Sequence, residues 1–264
     1  MTIFLLAIGL IGSTLLSLIG YHFKAISFDG IFTTIITGTI IALSGNLAIW
    51  SSIIFLFGSS LAIKLFKSFF FPASLEIEKQ VHEKLSARDS FQILANTLPA
   101  TLCIITYLST NNTTFVLGYL ASTAAASADT WASELGILSK RKTFDLKSFK
   151  PVPKGISGGV SFLGTLASLA ASCCIVFVFY FFNFIKPIPI DSKQYLIIII
   201  IGFSGSLIDS FIGSFFQGLF RDNNQELTDK KEHNQLVKGF TWLNNDGVNI
   251  ITNLIITTLA LIIL

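Results

Sequence analysis

The chain has 264 residues, of which 52% are hydrophobic and only 12% are Asp, Glu, Lys or Arg, with a mean hydropathy of +0.72. Soluble chains carry roughly 25% charged residues, so a water-facing surface is excluded, and 26 Phe with long Ile/Leu runs exclude disorder. The net charge of +3 comes with no basic, aromatic-rich block of the nucleic-acid-binding kind. Cys103, Cys173 and Cys174 lie in apolar runs without metal-ligand spacing.

An all-α, polytopic membrane bundle follows, a single transmembrane domain over 1–264. A bilayer core takes about 20 apolar residues per helix. The N-terminus is apolar from Ile3 without a basic leader region, which reads as a retained first span. Taken in order, charge-free runs and their polar breaks predict about eight helices, near 3–20, 28–45, 47–66, 91–109, 114–138, 158–184, 195–219 and 245–264. The second and third divide at Gly45-Asn46; without that break the count is seven. The fourth and fifth divide at the turn sequence Asn111-Asn112-Thr113-Thr114.

With the N-terminus outside, the inside segments hold sixteen of the eighteen Lys and Arg residues and the outside only Lys186 and Lys193. Three inside loops, 67–90, 139–157 and 219–244, carry the polar motifs. The first and third are long enough for short amphipathic helices on the membrane surface.

Ionisable residues within spans are functional candidates by default. Asp129 and Asp209 each lie about ten residues from the inside end of a helix, roughly 15 Å deep. Their helices run the same way, so both acids can face one cavity. Ser122, Asp129 and Ser133 share a helical face, as do Gly205, Asp209 and Gly213. Glu134 lies about 140° round the helix from Asp129, so it joins that site only if the helix bends or ends near Trp131. A helix–helix hydrogen bond is the competing explanation for each acid.

Two spans open on the inside with polar chemistry. Lys150-Pro151-Val152-Pro153-Lys154-Gly155-Ile156-Ser157-Gly158-Gly159-Val160-Ser161 combines prolines, glycines and a lysine before a helix. Backbone N–H groups of Gly155, Ser157, Gly158 and Gly159, with Lys154, suit a phosphate. Asn244-Asn245-Asp246-Gly247-Val248-Asn249 opens the last span with more amides and acid than a cap needs. Such oxygen-rich groups suit Mg²⁺ beside substrate phosphates. Arg88, Gln92 and Asn96 stand one turn apart near the same boundary. Lys64 closes the third span.

These motifs resemble one known family. Segment 28–64 is similar to its N-terminal Gly/Ser/Lys stretch, and Arg88-Asp89-Ser90-Phe91-Gln92-Ile93-Leu94-Ala95-Asn96 to its second motif. Ala128-Asp129-Thr130-Trp131-Ala132-Ser133-Glu134-Leu135-Gly136 resembles its most specific motif. The segments at 153–161, 205–210 and 242–246 complete the set in order. The family is the polytopic group that includes the phytyl-phosphate kinase of tocopherol and phylloquinone synthesis, distantly similar to phytol kinase, dolichol kinase and CDP-diacylglycerol synthases. Lys64 follows Ala-Ile where that family has Thr, and Gly247 stands where a larger residue is expected.

The resemblance implies transfer of a phosphoryl group from a nucleoside triphosphate, CTP by expectation, to phytyl or another polyprenyl monophosphate. Asp129, Asp209 and Asp246, with Glu134, are the expected Mg²⁺ ligands. Arg88, Lys154 and the Gly155–Gly159 backbone would neutralise phosphates, and Gln92, Asn96, Asn245 and Asn249 would orient them. The expected partners are membrane lipids and the isoprenoid phosphate, without nucleic acid, in a bacterial plasma membrane or cyanobacterial thylakoid. No feature specifies an oligomeric state. A transporter of lipid phosphates or small anions is the alternative, and a packed scaffold a further one.

Overall fold

The sequence punctuation sets the helix ends. Gly45 turns with φ +57 and Asn46 caps the following helix, its side chain accepting from Ala48 N at 2.9 Å. Asn111 adopts the left-handed conformation, φ 55, and Asn112 accepts from Thr114 N at 3.0 Å. Asp191 and Gln194 form a reciprocal capping box.

The computed structural model describes residues 2–81 and 87–264. His82 and Lys84 lie outside them. The described helices are α1 (Thr2–His22), α2 (Phe28–Ala42), α3 (Leu47–Phe70), α4 (Pro72–Val81), α5 (Ser90–Thr110), α6 (Thr114–Gly136), α7 (Phe162–Asn183), α8 (Ser192–Phe216) and α9 (Asn245–Ile263). Each of the eight expected segments contains a helix, and the break at Gly45 is present. The protein is a polytopic helical membrane protein: α1, α3, α5, α7, α8 and α9 are long and apolar enough to cross a bilayer, and α2 is a shorter apolar helix.

Helix α6 is long but less apolar because it faces protein rather than lipid. It is buried without interruption from Val116 to Ala128, packed by α3, α5, α7, α8 and α9. Its Ala/Ser stripe lets backbones approach. A Cβ on Gly205 of α8 would stand 2.6 Å from Ala125 Cβ, and one on Gly202 2.6 Å from Ala124 Cβ. One on Gly164 of α7 would stand 2.8 Å from Ala132 O. Small residues therefore hold α7 and α8 against the helix that carries Asp129.

Two loops fold differently from expectation. The span expected from residue 158 begins at Phe162, capped by Ser161. The chain before it forms a three-stranded antiparallel sheet, β1 (Thr143–Asp145), β2 (Pro151–Val152) and β3 (Gly159–Val160), in order β2-β1-β3. The helix expected in 219–244 is instead a second sheet, β4 (Leu219–Arg221), β5 (Leu227–Thr228) and β6 (Gln235–Lys238), in order β5-β4-β6. Among the described residues, the 67–90 loop alone supplies a short helix, α4. Asp145 ties the two sheets to α8, accepting from Ser214 Oγ at 2.6 Å and Lys238 Nζ at 2.9 Å.

Candidate functional site

One cavity of about 430 Å³ opens at the end of the bundle that carries the basic loops. Asp129 of α6, Asp209 of α8 and Asp246 of α9 all line it. Asp129 and Asp209 lie within electrostatic reach of each other. Thr252 Oγ1 donates to Asp209 at 3.2 Å, which ties α9 to α8 beside the acids. Glu134 joins the wall although α6 runs on as helix through Gly136, so no helix end at Trp131 is needed.

Arg88 is placed by its backbone. Its N–H donates to Ala25 O at 2.8 Å, and its carbonyl accepts from Ser27 N at 3.0 Å. A Cβ on Gly30 would fall 2.6 Å from that carbonyl, so the turn before α2 grips it closely. The guanidinium then faces Asp129, Glu134 and Thr130, with Nη2 3.5 Å from Thr130 Oγ1. Its Nη1 is buried with no hydrogen-bond partner among the described residues. A buried, unsatisfied donor of this kind is costly unless something occupies the space before it.

Gln92 and Asn96 also line the cavity. Gln92 spends its side-chain oxygen on the capping box with Asp89, and Asn96 Nδ2 donates to Gln92 O at 2.9 Å. The glycine loop forms the facing wall through Gly155, Ser157, Gly158 and Gly159. Gly158 has φ +80, and a Cβ there would stand 2.5 Å from Ser214 Cα. Only glycine lets this loop lie on α8, about one turn beyond Asp209. The loop is a turn before β3 and not the N-terminus of α7, which corrects the expected helix-opening cradle. Lys154 does not line the cavity.

At α9 the cap is Asn244, which accepts from Gly247 N at 3.1 Å. Asn245, Asp246 and Asn249 line the cavity instead of capping, and Asn249 Oδ1 is buried without a partner among the described residues. Among the described residues no three His, Cys, Asp or Glu side chains form a ready metal cluster. The expected four-carboxylate set therefore does not stand preassembled, and Glu134 is taken up by an ion pair with Lys67.

The sequence profile of the integral membrane protein family DUF92 matches residues 9–257. The chain belongs to this family. It is 33% identical to Protein PGR of Arabidopsis thaliana over 56% of its length and 54% of that protein's. It is 34% identical to the chloroplastic Protein VTE6 of the same plant, over 52% of the chain and 34% of the relative. It is 32% identical to an uncharacterised membrane protein of Methanocaldococcus jannaschii, over 57% and 61%. The matched part thus spans between a third and three fifths of these relatives. No solved structure matches.

This DUF92 chain also brings in residues that sequence reasoning missed. Lys67, fully buried on α3, pairs with Glu134. The available signal was a lysine set between Phe66 and Phe69 in an apolar run. Asp229 and Gln217 line the cavity, where Ser157 Oγ donates to Asp229 and accepts from Gln217 Nε2 at 2.8 Å. Nothing in the charge-rich stretch around Asp229 set it apart.

Proposed function

We propose that the protein phosphorylates a prenyl monophosphate, phytyl or a related chain, at the expense of a nucleoside triphosphate, CTP by preference. The observation that carries this reading is a single cavity in which a buried guanidinium, its Nη1 without a partner among the described residues, shares the walls with three aspartates and a glycine loop, continuous with an apolar arm between α1, α2 and α3. An amphiphile with an anionic head fits both ends. The motif resemblance supports the same reaction.

Arg88 Nη1 would bind a phosphate oxygen and the N–H groups of Gly155, Ser157 and Gly158 would hold another, that of Gly159 being spent on Ile156 O at 3.0 Å. Ser157, whose hydroxyl donates to Asp229 and accepts from Gln217, would hold the loop in shape, and Asn245 would align the head group. The monophosphate oxygen is already anionic, so no general base is needed to create the nucleophile. It forms the new P–O bond as the bond to the departing nucleoside diphosphate breaks.

The donor set also fits Mg²⁺, which takes one or two carboxylates plus substrate phosphates. Asp129 and Asp209, with the Asn249 Oδ1 that has no partner among the described residues, are the oxygens that would hold it, and Asp246 stands on the same wall. Bound there, it would supply charge neutralisation to the phosphates. The cavity lining stops at Trp50 on α3, near that helix's start, which favours this reading over transport through the protein.

The test is direct: purified protein, labelled phytyl or geranylgeranyl phosphate, Mg²⁺ and each nucleoside triphosphate in turn. The diphosphate is the expected product. No product with any donor, while proteoliposomes move the same lipid phosphate, would establish the transporter instead.

A further inference from the structure

The apolar arm has a floor. Along α3 the lining runs from Lys64 through Leu61, Gly58 and Ile54 to Trp50, about 20 Å of helix. On the facing helices it stops at Ser13 of α1 and Gly38 of α2. These three limits lie at one level, because the helices touch there. A Cβ on Gly12 would fall 2.5 Å from the Trp50 ring, and one on Gly38 2.5 Å from Ser13 Oγ. One turn further on, a Cβ on Gly9 would fall 2.9 Å from Ala42 Cβ, so α1 and α2 close on each other beyond the ring.

Gly58 marks the space itself. A glycine inside a helix weakens it and needs a reason. At every other helical glycine a neighbouring atom lies within 3.2 Å of where a Cβ would stand; at Gly58 none lies within 4 Å. Packing does not require this glycine. What its missing side chain leaves open is the middle of the arm.

We propose that the arm holds the single hydrocarbon chain of the isoprenyl phosphate, and that the Trp50 ring, seated on Gly12, sets the longest chain accepted. The inference rests on the prenyl-phosphate reading above and deepens it. The lining among the described residues traces an arm along α1, α2 and α3, which suits a one-tailed substrate. Trp50 is a specificity residue far from the transferred phosphate. Its alternative role is a plain interfacial anchor of the kind common for Trp at membrane boundaries.

Wild type, Trp50→Ala and Gly58→Leu are compared in lipid nanodiscs on monophosphates of geranyl, farnesyl, geranylgeranyl and longer prenyl chains. For the wild type, kcat/KM falls at least about tenfold one isoprene unit beyond the best substrate. Trp50→Ala moves the optimum at least one unit longer. Gly58→Leu, which adds a better helix former in open space, cuts the longest good substrate at least about tenfold and leaves the shortest within about twofold. One unchanged length profile in all three proteins overturns the proposal and leaves the kinase reading intact.

A photoreactive group at the tail end of geranylgeranyl phosphate gives a readout that needs no turnover. Label on α3 around Trp50 supports the arm even in a protein that makes no diphosphate, a result that would sink only the kinase reading. Label confined to lipid-facing positions such as Phe177 and Phe181 overturns the arm.

Discussion

Asp129 is the residue on which the site turns, since it faces both Arg88 and Asp209. Asp129→Asn keeps the size and removes the charge; it is expected to abolish diphosphate formation while the protein extracts and chromatographs as wild type. An active Asp129→Asn protein would remove this residue from the chemistry. Glu134 answers differently, because Lys67 is 0% exposed and Glu134 only 26%. Glu134→Ala removes an ion-pair partner of a buried ammonium and should lower stability in a denaturant titration, by up to about 3–5 kcal/mol. The double variant Lys67→Met, Glu134→Leu should recover a good part of that stability. The acids were legible because a charge in an apolar run is conspicuous. Lys67 was not, because lysines near a helix end ordinarily reach for water. Asp229 sits among seven other charged residues from Arg221 to Lys238 and looked like solvated surface.

Between elements, glycines set how close the acid-bearing helices come. Gly205→Leu would drive a side chain into Ala125 and part α6 from α8. It should destabilise the protein by about 1–3 kcal/mol and lower activity through the spacing of Asp129 and Asp209. The two sheets are joined to α8 through Asp145. Burial pushes this carboxyl up, but hydrogen bonds from Ser214, Lys238 and Ser148 outweigh it and hold it at about 2, below the ordinary 3.8. Its folded pKa is depressed, so its contribution to stability is complete above about pH 4 and fades as pH falls toward 2. Asp145→Asn should flatten the acid limb of the stability curve across that window. The helices could be read from runs, caps and breaks. Strands of two to four residues carry too little alternation to be seen, so the sheets were invisible in the sequence.

At the scale of the molecule, the charge asymmetry that organised the sequence makes a simple prediction. In sealed vesicles, single cysteines placed at Lys147 and Gln225 should react with an impermeant reagent from one side only. Cysteines at Asn112 and Lys186 should react only from the other. Labelling of all four from one side would break the expected topology. That asymmetry also shows why the site was broadly readable: motifs far apart in the chain meet because their helix ends share one face. The arm was not readable, since it depends on where Gly12, Gly38 and Gly58 fall against neighbours the sequence does not name.

The grip on Arg88 has a consequence for the first helix. Helix α1 brings no charged residue near the acids, yet the turn that leaves it, through Ala25 and Ser27, clasps the peptide of Arg88 on both sides. A variant shorn of α1 would retain every aspartate and the whole glycine loop. The clasping turn, though, would lose the helix that seats it, and Arg88 would lose its fixed bearing on the acids.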